Sequence, residues 1–339
     1  MILASLSLLW GAILERRARD YASGRRISHK LSRPTVSVGN ITFGGTGKTP
    51  FVEVLARHFQ AEGRRPAILS RGYRRRSRGP VVVSRGDGPF VSPDEGGDEP
   101  VALARKLPGV LVVVAERRQD AAREAARLGA DLFLLDDGYQ HLAVRRDANL
   151  LLLDGEDPFG GGRLPPAGRL REPLSALGRA DAIVFTRLGS RLPPPPALEA
   201  LAQWNPRAPI FTAQIRAAGV ADHNGTRVSQ EALLQKRFIA VSGIAKPSGF
   251  SDSIRELNLA PQETFVFSDH HRYGPGDLER IRRAAERTGS DRILTTEKDA
   301  VKLQDRLALP ILTMRLEVEI EPAFFPFLAG RLKDSEAVP

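Results

Sequence analysis

The run Thr42-Phe43-Gly44-Gly45-Thr46-Gly47-Lys48-Thr49 is the part of this chain that decides its fold. It follows the apolar residues Thr35-Val36-Ser37-Val38 and precedes Phe51–Ala56, whose composition predicts a helix. A strand, a glycine-rich turn and a helix in this order are typical of a phosphate-binding loop, or P-loop. Glycines let backbone N–H groups surround phosphate oxygens, and the helix amino terminus favours negative charge. The sequence therefore predicts an α/β fold that binds a nucleoside triphosphate.

Two side chains of the loop have predicted roles of their own. Lys48 is expected to reach the β- and γ-phosphates as a catalytic cation, and the Thr49 hydroxyl is expected to bind Mg²⁺. All eight residues from Thr42 to Thr49 are candidate nucleotide contacts. The usual pattern opens with glycine, whereas Thr42 occupies that position here. The alternative interpretation is a glycine turn with an incidental lysine.

Composition narrows the classes of protein to consider. A chain of 339 residues is long enough for two domains that each bury a core. It has no cysteine, which excludes disulfides, thiolate metal sites and cysteine nucleophiles. The formal net charge of +10 suits a nucleic acid, an anionic membrane or a phosphorylated substrate, and charge alone does not choose among them.

The amino terminus is almost wholly apolar over residues 1–14 and contains Trp10. This run is too short to span a bilayer, which takes about 20 residues. It is unlike a signal peptide, because positive charge follows the apolar run and does not precede it. We predict an interfacial membrane helix over residues 1–26, with a helix packed on its own domain as the alternative. The basic residues that follow the run are Arg16, Arg17, Arg19, Arg25, Arg26, Lys30 and Arg33.

Beyond the loop, short apolar runs alternate with helical stretches such as residues 120–128. This alternation predicts a parallel sheet with helices on both faces, in which ligands bind beyond the carboxyl ends of the strands. The predicted strands are residues 66–70, 109–115, 131–137, 149–154 and 182–186.

A second series of strands and helices begins near residues 237–241 and continues through residues 292–295. We therefore predict a P-loop kinase domain over residues 27–227 and a smaller C-terminal α/β domain over residues 228–339. Residues 191–196, which end in a run of prolines, are predicted to form a surface loop, with a domain boundary as the alternative.

The strand at residues 131–137 ends in two carboxylates, Asp136 and Asp137. In a P-loop protein, acidic residues at this place hold Mg²⁺ directly or through water. Neighbouring side chains on a strand point in opposite directions, so both can serve only if the strand ends there. Gly138 is consistent with such an end. The alternative is a turn, because Asp-Asp-Gly also favours turns.

Several motifs together resemble the tetraacyldisaccharide 4′-kinase family of lipid A biosynthesis. The resemblance covers nearly the whole chain, from the apolar helix to about residue 303. One departure is Gly161, where the family has asparagine within Gly-Asn-Gly. The motifs are Val38–Pro50, Asp136-Asp137-Gly138-Tyr139-Gln140-His141, Ser70-Arg71-Gly72-Tyr73, Gly97-Asp98-Glu99-Pro100, Leu170-Arg171-Glu172-Pro173, Asp269-His270-His271 and Thr296-Glu297-Lys298-Asp299.

The resemblance implies an enzyme that uses ATP and Mg²⁺ to phosphorylate the 4′-hydroxyl of a tetraacyldisaccharide 1-phosphate, giving lipid IVA. It implies a peripheral protein on the cytoplasmic side of the bacterial inner membrane, with a lipid disaccharide substrate, no nucleic acid and no obligate protein partner. The residues alone predict only a magnesium-dependent, phosphotransferase-like site. A lipid substrate would explain the interfacial helix.

The resemblance also implies a catalytic pair. The family pattern places a catalytic carboxylate at Asp98 and pairs it with a histidine at His270. From the residues alone, Asp98 is a helix cap and His270 an exposed loop residue. Because His270 and Lys48 belong to different predicted domains, a shared reaction requires an interdomain cleft, with closure of the C-terminal domain over ATP.

Three further residues are candidate substrate contacts. Tyr73 lies among arginines that suit phosphate, adenine or lipid headgroups, although a solvated basic loop is the alternative. Arg171 and Glu172 belong to a family motif, and a guanidinium suits phosphate or sugar oxygens. A structural salt bridge at Arg171 is the alternative. The segment Thr296–Asp299 is expected at the interface between the domains.

Three rival functions remain open. A GTPase switch acting on a protein partner usually carries Asn/Thr-Lys-x-Asp, whereas residues 296–299 read Thr-Glu-Lys-Asp. A membrane-associated ATPase would release phosphate to water. A nucleic-acid-dependent ATPase rests on charge alone, without aromatic residues interleaved among the basic ones. The sequence favours the kinase over all three.

Overall fold

The structure is a computed structural model that describes residues 2–336. Met1 and residues 337–339, to which the predicted N-terminal helix and C-terminal domain extend, lie outside the described residues. The helices are α1 (Ile2–Ala22), α2 (Lys48–Ala61), α3 (Pro93–Gly96), α4 (Asp98–Lys106), α5 (Arg118–Arg127), α6 (Pro195–Trp204), α7 (Gln230–Leu234), α8 (Pro247–Glu256), α9 (Pro275–Thr288), α10 (Glu297–Leu303) and α11 (Phe324–Glu336), with a 3₁₀ helix at Leu174–Arg179.

The strands are β1 (Thr35–Gly39), β2 (Pro66–Ser70), β3 (Val81–Ser84), β4 (Leu111–Val114), β5 (Leu132–Asp136), β6 (Ala148–Asp154), β7 (Ala182–Thr186), β8 (Ile210–Ala221), β9 (Arg227–Val228), β10 (Phe238–Ser242), β11 (Glu263–Val266), β12 (Arg292–Thr296) and β13 (Ile311–Ile320). They form a single sheet in the order β11-β10-β12-β13-β8-β7-β6-β1-β5-β2-β4-β3, with β9 paired to β8 alone.

Each predicted strand is present, with ends that differ by at most two residues. The sheet is mostly parallel, and both of its faces are covered. On β5, Leu132 and Leu134 pack into the cluster that contains α2 and α4. Phe133 and Leu135, on the opposite face, pack against the alanines of α5. The predicted α/β fold, with helices on both faces of a parallel sheet, is confirmed.

The sheet curls so strongly that distant strands bring their helices together. Helix α4 precedes β4, and α10 follows β12, although β13, β8, β7, β6, β1, β5 and β2 lie between these strands. The two helices nevertheless pack against each other. An ion pair of 2.9 Å between Lys106 of α4 and Glu297 of α10 joins them. Residues that are 191 positions apart in the chain, on helices next to widely separated strands, therefore meet at one place.

The two predicted domains share this sheet. Strand β13 runs antiparallel to β8, and their pairing extends from Thr313–Ala221 to Ile320–Ala213 with a bulge at Arg315/Leu316. Strand β9 straddles the predicted boundary at residue 228. The division into two domains stays a prediction.

The proline run at residues 193–196 is only partly a loop. Its last two prolines begin α6, and Pro195 occupies the first turn. Proline suits that position, because its fixed φ fits a helix and the first N–H groups have no partner inside the helix. The prediction of a loop is wrong for these two residues.

Helix α11 ties the end of the chain to the P-loop helix. Phe324 is fully buried, with its ring 5.5 Å from that of Phe51 in α2 and 5.4 Å from that of Phe211 in β8, both edge to face. This aromatic cluster holds the C-terminal helix against both α2 and the strand that joins the two halves of the sheet.

Replacing Phe324 with Ala should lower the free energy of unfolding by about 3–5 kcal/mol, because it leaves a cavity among packed rings. Urea denaturation measures this change. The control is Phe90→Ala, whose ring is 53% exposed, and which should cost far less. Equal losses for the two variants would contradict the packing described for α11.

Candidate active site

The P-loop follows β1, which lies at the centre of the sheet between β5 and β6. Gly47 precedes α2 with φ of 82°, a left-handed conformation that favours glycine. A Cβ at Gly47 would also collide with the side chain of Ile215. Gly44 also has a positive φ, of 124°, but a Cβ at Gly44 or Gly45 would meet no atom within 4 Å. The loop conformation therefore favours glycine at positions 44 and 47, and the space beside Gly44 and Gly45 is open to a ligand.

Backbone hydrogen bonds hold the loop on both sides. The N–H of Phe43 donates to the carbonyl of Arg169 at 2.7 Å, and the N–H of Arg171 donates to that of Ile41 at 2.7 Å. Beyond β7, the Arg187 side chain donates to the carbonyl of Gly45 at 2.7 Å. These contacts fix the loop while its glycines stay accessible.

Lys48 lies at the base of this loop and is nearly buried. Its Nζ donates to Oδ1 of Asn40 at 3.2 Å and lies 3.5 Å from Oδ1 of Asp137. Both partners lie just beyond the ends of neighbouring strands, β1 and β5. Sequence reasoning assigned no role to Asn40, although it lies inside the quoted loop motif. The lysine is thus held where a phosphate could replace these oxygens.

Asp136 is the last residue of β5, one residue before the predicted end, and Asp137 follows with φ of 52°. Asp136 is 2% exposed, and its Oδ1 has no hydrogen-bond partner. Burial, together with the negative charges of Glu99 and Asp137, raises the pKa of Asp136 to about 7. A buried, unpartnered carboxylate oxygen next to other carboxylates is an electrostatic environment that favours a bound cation.

Asp137 has the opposite electrostatic environment. Desolvation raises its pKa, but Lys48 and Arg171 outweigh that effect and lower the pKa to about 2. One guanidinium nitrogen of Arg171 contacts both oxygens of Asp137, at 2.8 and 2.7 Å. The two adjacent carboxylates therefore differ sharply in their affinity for protons.

The donors at this strand end fit Mg²⁺. Among residues 2–336, no group of three or more His, Asp or Glu side chains could hold a metal ion alone. Mg²⁺ usually binds one or two carboxylates and takes its other ligands from phosphate oxygens and water. The orphaned oxygen of Asp136, with Asp137 next to it in the chain and the Thr49 hydroxyl in the first turn of α2, suits that mode. The metal roles of these residues stay predictions.

The predicted substrate residues Arg171 and Glu172 make contacts within the protein. Arg171 pairs with Asp137, the salt bridge named above as its alternative role, and its guanidinium lies 5.3 Å from the Phe43 ring centre. Glu172 is buried and accepts two bonds of 2.8 Å from Arg179. Gln140 links Glu172 to the carbonyl of Asn40. A substrate role for either residue stays a prediction.

Asp98 and His270 form a hydrogen-bonded pair although 172 residues separate them. The distance from His270 Nδ1 to Asp98 Oδ2 is 3.0 Å, and both side chains are almost buried. Burial alone raises the pKa of Asp98, but the His270 hydrogen bond and the charges of Lys298 and Lys302 outweigh it and hold the pKa below its usual range. Asp98 also accepts from the N–H of Glu99. Gly97 precedes α4, no side chain caps the helix, and Asp98 is its first residue, so the interpretation of Asp98 as a helix cap is wrong.

Tyr73 is the third predicted contact that lies here. Its ring meets that of His270 edge to face at 4.8 Å, and 53% of the residue is exposed. An open cavity of about 450 Å³ lies beside Asp98, His270 and Tyr73. The basic residues that line it are Arg74, Arg76, Arg272, Lys302 and Arg306. A basic wall beside a carboxylate–imidazole pair suits an anionic substrate.

A P-loop on a parallel sheet, with an acidic strand end and a carboxylate–histidine pair brought to it, is the arrangement of a P-loop phosphotransferase. Comparison with known proteins gives the particular family. The family model described as tetraacyldisaccharide-1-P 4′-kinase matches residues 1–333, and this chain belongs to that family. The family resemblance drawn from the sequence is confirmed.

Similar proteins carry the same description. The chain is 42% identical to a tetraacyldisaccharide 4′-kinase of Geobacter sulfurreducens over 328 residues, which are 95% of this chain and 90% of the relative. It is 42% identical over 329 residues to one of Pelobacter propionicus, covering 95% and 89%. Among solved structures, it resembles the LpxK of Aquifex aeolicus crystallised in complex with ATP, with a TM-score of 0.79, 33% identity and 97% coverage of each chain.

Replacing Asp136 with Asn should raise the melting temperature at pH 8 without nucleotide or Mg²⁺. Because folding raises the pKa of Asp136 from 3.8 to about 7, ionisation of this carboxyl destabilises the folded state as the pH rises through that range. The gain should therefore be full above pH 7 and vanish as the pH falls towards 4. Thermal melts across this pH range measure it.

The exposed Asp87→Asn variant serves as the control and should follow the wild-type protein at every pH. A gain from Asp136→Asn that did not change with pH, or a loss at pH 8, would contradict the electrostatics described here.

Proposed function

We propose that this protein transfers the γ-phosphate of ATP to the 4′-hydroxyl of a tetraacyldisaccharide 1-phosphate, the step of lipid A biosynthesis that gives lipid IVA. The observation that supports this most is the Asp98–His270 pair, which neighbouring charged side chains link to Asp136 beside the P-loop. Lys298 contacts both His270 and Glu99, and the charge of Glu99 acts on Asp136. A proton acceptor and a phosphate-binding loop thus belong to one electrostatic unit.

In this proposal the loop residues Thr42 to Thr49 surround the phosphates with backbone N–H groups. The Lys48 ammonium leaves Asn40 and Asp137 and binds phosphate oxygens, whose negative charge it neutralises. Thr49 and Asp136 or Asp137 would hold Mg²⁺, which would supply further positive charge at the phosphates. Phosphoryl transfer depends mainly on positioning and electrostatic stabilisation, which this arrangement provides.

The acceptor side requires a group that removes the proton of the sugar hydroxyl. The Asp98 carboxylate takes this proton as the new bond from sugar oxygen to phosphorus forms and the bond from phosphorus to ADP breaks. His270 donates its Nδ1–H to the carboxylate and holds it in place. Because the pKa of Asp98 lies below its usual range, the carboxylate is ionised at neutral pH and ready to accept a proton.

Helix α1 supports a membrane-facing substrate, because its apolar surface points outwards. Its inward side is lined by small residues: Ser7 is buried and donates to the carbonyl of Leu164 at 2.8 Å, and Gly11 is also buried against Leu164. Such a surface suits the interface of a bilayer, where a lipid substrate lies. The outward residues, all more than 40% exposed, are Leu3, Leu6, Leu8, Leu9, Trp10 and Ile13.

No helix among residues 2–336 is both long enough and apolar enough to cross a membrane. We therefore propose peripheral attachment through α1 at the cytoplasmic side of the bacterial inner membrane. The basic residues that follow the apolar part of α1 would meet anionic headgroups.

Purified protein incubated with γ-labelled ATP, Mg²⁺ and the disaccharide acceptor should transfer the label to the lipid fraction. Lys48→Ala should reduce this transfer at least about a hundredfold, because it removes a cation from the transferring phosphoryl group. Extraction of the lipid and counting of its label measure the reaction.

The matched control is Lys236→Ala, an exposed lysine far from the loop in sequence, which should keep full activity. Label released as phosphate into water, with none in the lipid, would contradict the proposed acceptor and favour an ATPase.

Changing both Leu8 and Leu9 to Asp should weaken binding to vesicles that contain anionic lipid by at least about tenfold. Each leucine loses the favourable burial of a large apolar side chain, worth about 1.5–3 kcal/mol. Co-sedimentation with vesicles measures the effect.

The control changes Leu192 and Leu234, two exposed leucines outside α1, to Asp. This double variant adds the same charge and should bind vesicles like the wild type. Equal losses for the two double variants would argue against α1 as the membrane contact.

A further inference from the structure

Lys298 makes an unusual set of contacts in the first turn of α10. Its Nζ lies 2.9 Å from Nε2 of His270, 2.8 Å from Oδ1 of Asp269 and 3.1 Å from Oε1 of Glu99. The side chain is only 15% exposed. The Lys298 ammonium thus contacts the histidine of the proposed catalytic pair. It also contacts Asp269, which precedes this histidine in the chain, and Glu99, which follows Asp98.

These contacts decide where the proton of the imidazole lies. An ammonium group has three donors and no acceptor, so Nε2 of His270 must accept from Lys298. Nδ1 must then carry the hydrogen, and it donates this hydrogen to Asp98. Burial alone lowers the pKa of Lys298, but Glu99, Asp98 and Asp269 outweigh burial and raise it, so the ammonium stays charged.

We propose that Lys298 is a positioning residue for phosphoryl transfer, which fixes His270 as the neutral tautomer with its hydrogen on Nδ1 and directs that N–H at the Asp98 carboxylate. The proposal rests on the function proposed above. Protonation of Nε2 would place two cations 2.9 Å apart and remove the hydrogen bond from Lys298. Asp98, and not the imidazole, is therefore left as the group that accepts the substrate proton.

The surroundings hold His270 in this position from several sides. Its backbone has φ of 56°, which is costly for a residue other than glycine, and Arg74 donates to its carbonyl at 2.9 Å. The charged and aromatic groups around it are Asp98 and Glu99 of α4, Lys298, Asp299 and Lys302 of α10, Asp269 of its own loop, and Tyr73 and Arg74 of the loop after β2.

Lys106 offers a matched control within the same interface. Its Nζ bridges Glu53 of α2 at 2.6 Å and Glu297 of α10 at 2.9 Å, and it is as buried as Lys298. Both lysines join α4 to α10, but Lys106 pairs with these two glutamates, whereas Lys298 contacts His270. If Lys298 acted only as a tie between helices, the two lysines would behave alike.

The first experiment records ¹⁵N NMR spectra of the full chain labelled at histidine, near pH 7.5 and without substrates. The signals of His270 are assigned by their loss in His270→Ala. The wild type should show the neutral ring with hydrogen on Nδ1, and so should Lys106→Met. In Lys298→Met the ring should lose this fixed state, whereas Lys298→Arg should keep it, because a guanidinium also only donates.

The second experiment measures the kinase reaction of the same variants. Lys298→Met should lower kcat roughly 10- to 100-fold, as expected when a catalytic group is misplaced, with KM for ATP changed by less than about threefold. Lys298→Arg should recover much of kcat, and Lys106→Met should stay within about threefold of the wild type.

Hydrogen on Nε2 in the wild type would overturn the proposal, and this reading does not depend on any variant folding. Equal kinetic losses for Lys298→Met and Lys106→Met, with an unchanged His270 spectrum, would overturn it as well. A wild type without kinase activity but with hydrogen on Nδ1 would instead refute the proposed function and leave the tautomer assignment in place.

Discussion

The antiparallel pairing of β13 with β8 is the constraint on which the rest of this structure depends. It joins the strands of the C-terminal part to those of the P-loop part as one continuous sheet. Because that sheet curls, α10 comes to lie on α4, and the loop with His270 comes to lie on Asp98. Neither half of the chain holds the P-loop and the carboxylate–histidine pair by itself. The proposed chemistry therefore depends on the fold as a whole.

Lysine side chains balance the negative charge where α4, α10 and the end of β5 come together. The carboxylates Asp98, Glu99, Asp136 and Asp137 lie on neighbouring elements, and Lys48, Lys298 and Lys302 partner three of them directly. Among these four carboxylates, only Asp136 has a fully buried oxygen without a hydrogen-bond partner, and burial raises its pKa. Such a group destabilises the free protein and suits a site that gains a cation together with its substrate.

The parts of the fold that follow from local pattern could be predicted from the sequence. The P-loop, the parallel strands and the end of β5 at Asp136 each follow from residues that are close together in the chain. The pairing of Asp98 with His270 could not be found in this way, since it depends on how the sheet curls. It was expected only through the family resemblance.

Other features needed the three-dimensional structure because several conformations fit the same residues. Almost every residue at the start of α1 is apolar, so the sequence alone did not indicate which side faces the protein. The small residues Ser7 and Gly11 face inwards and leave the large ones exposed. Likewise, the motif at Thr296–Asp299 was expected at an interface, but the contact of Lys298 with Glu99, 199 residues away, depends on the packing of α10 against α4.

The most direct test of this account is a double-mutant cycle on kcat with Asp98→Asn, His270→Ala and the double variant. If the two side chains act as one unit across the α4–α10 junction, the double variant should be about as slow as the slower single variant, which corresponds to a coupling free energy on the order of 1–3 kcal/mol. Losses that simply multiply would show that the residues act independently, and they would contradict a single site shared by both halves of the chain.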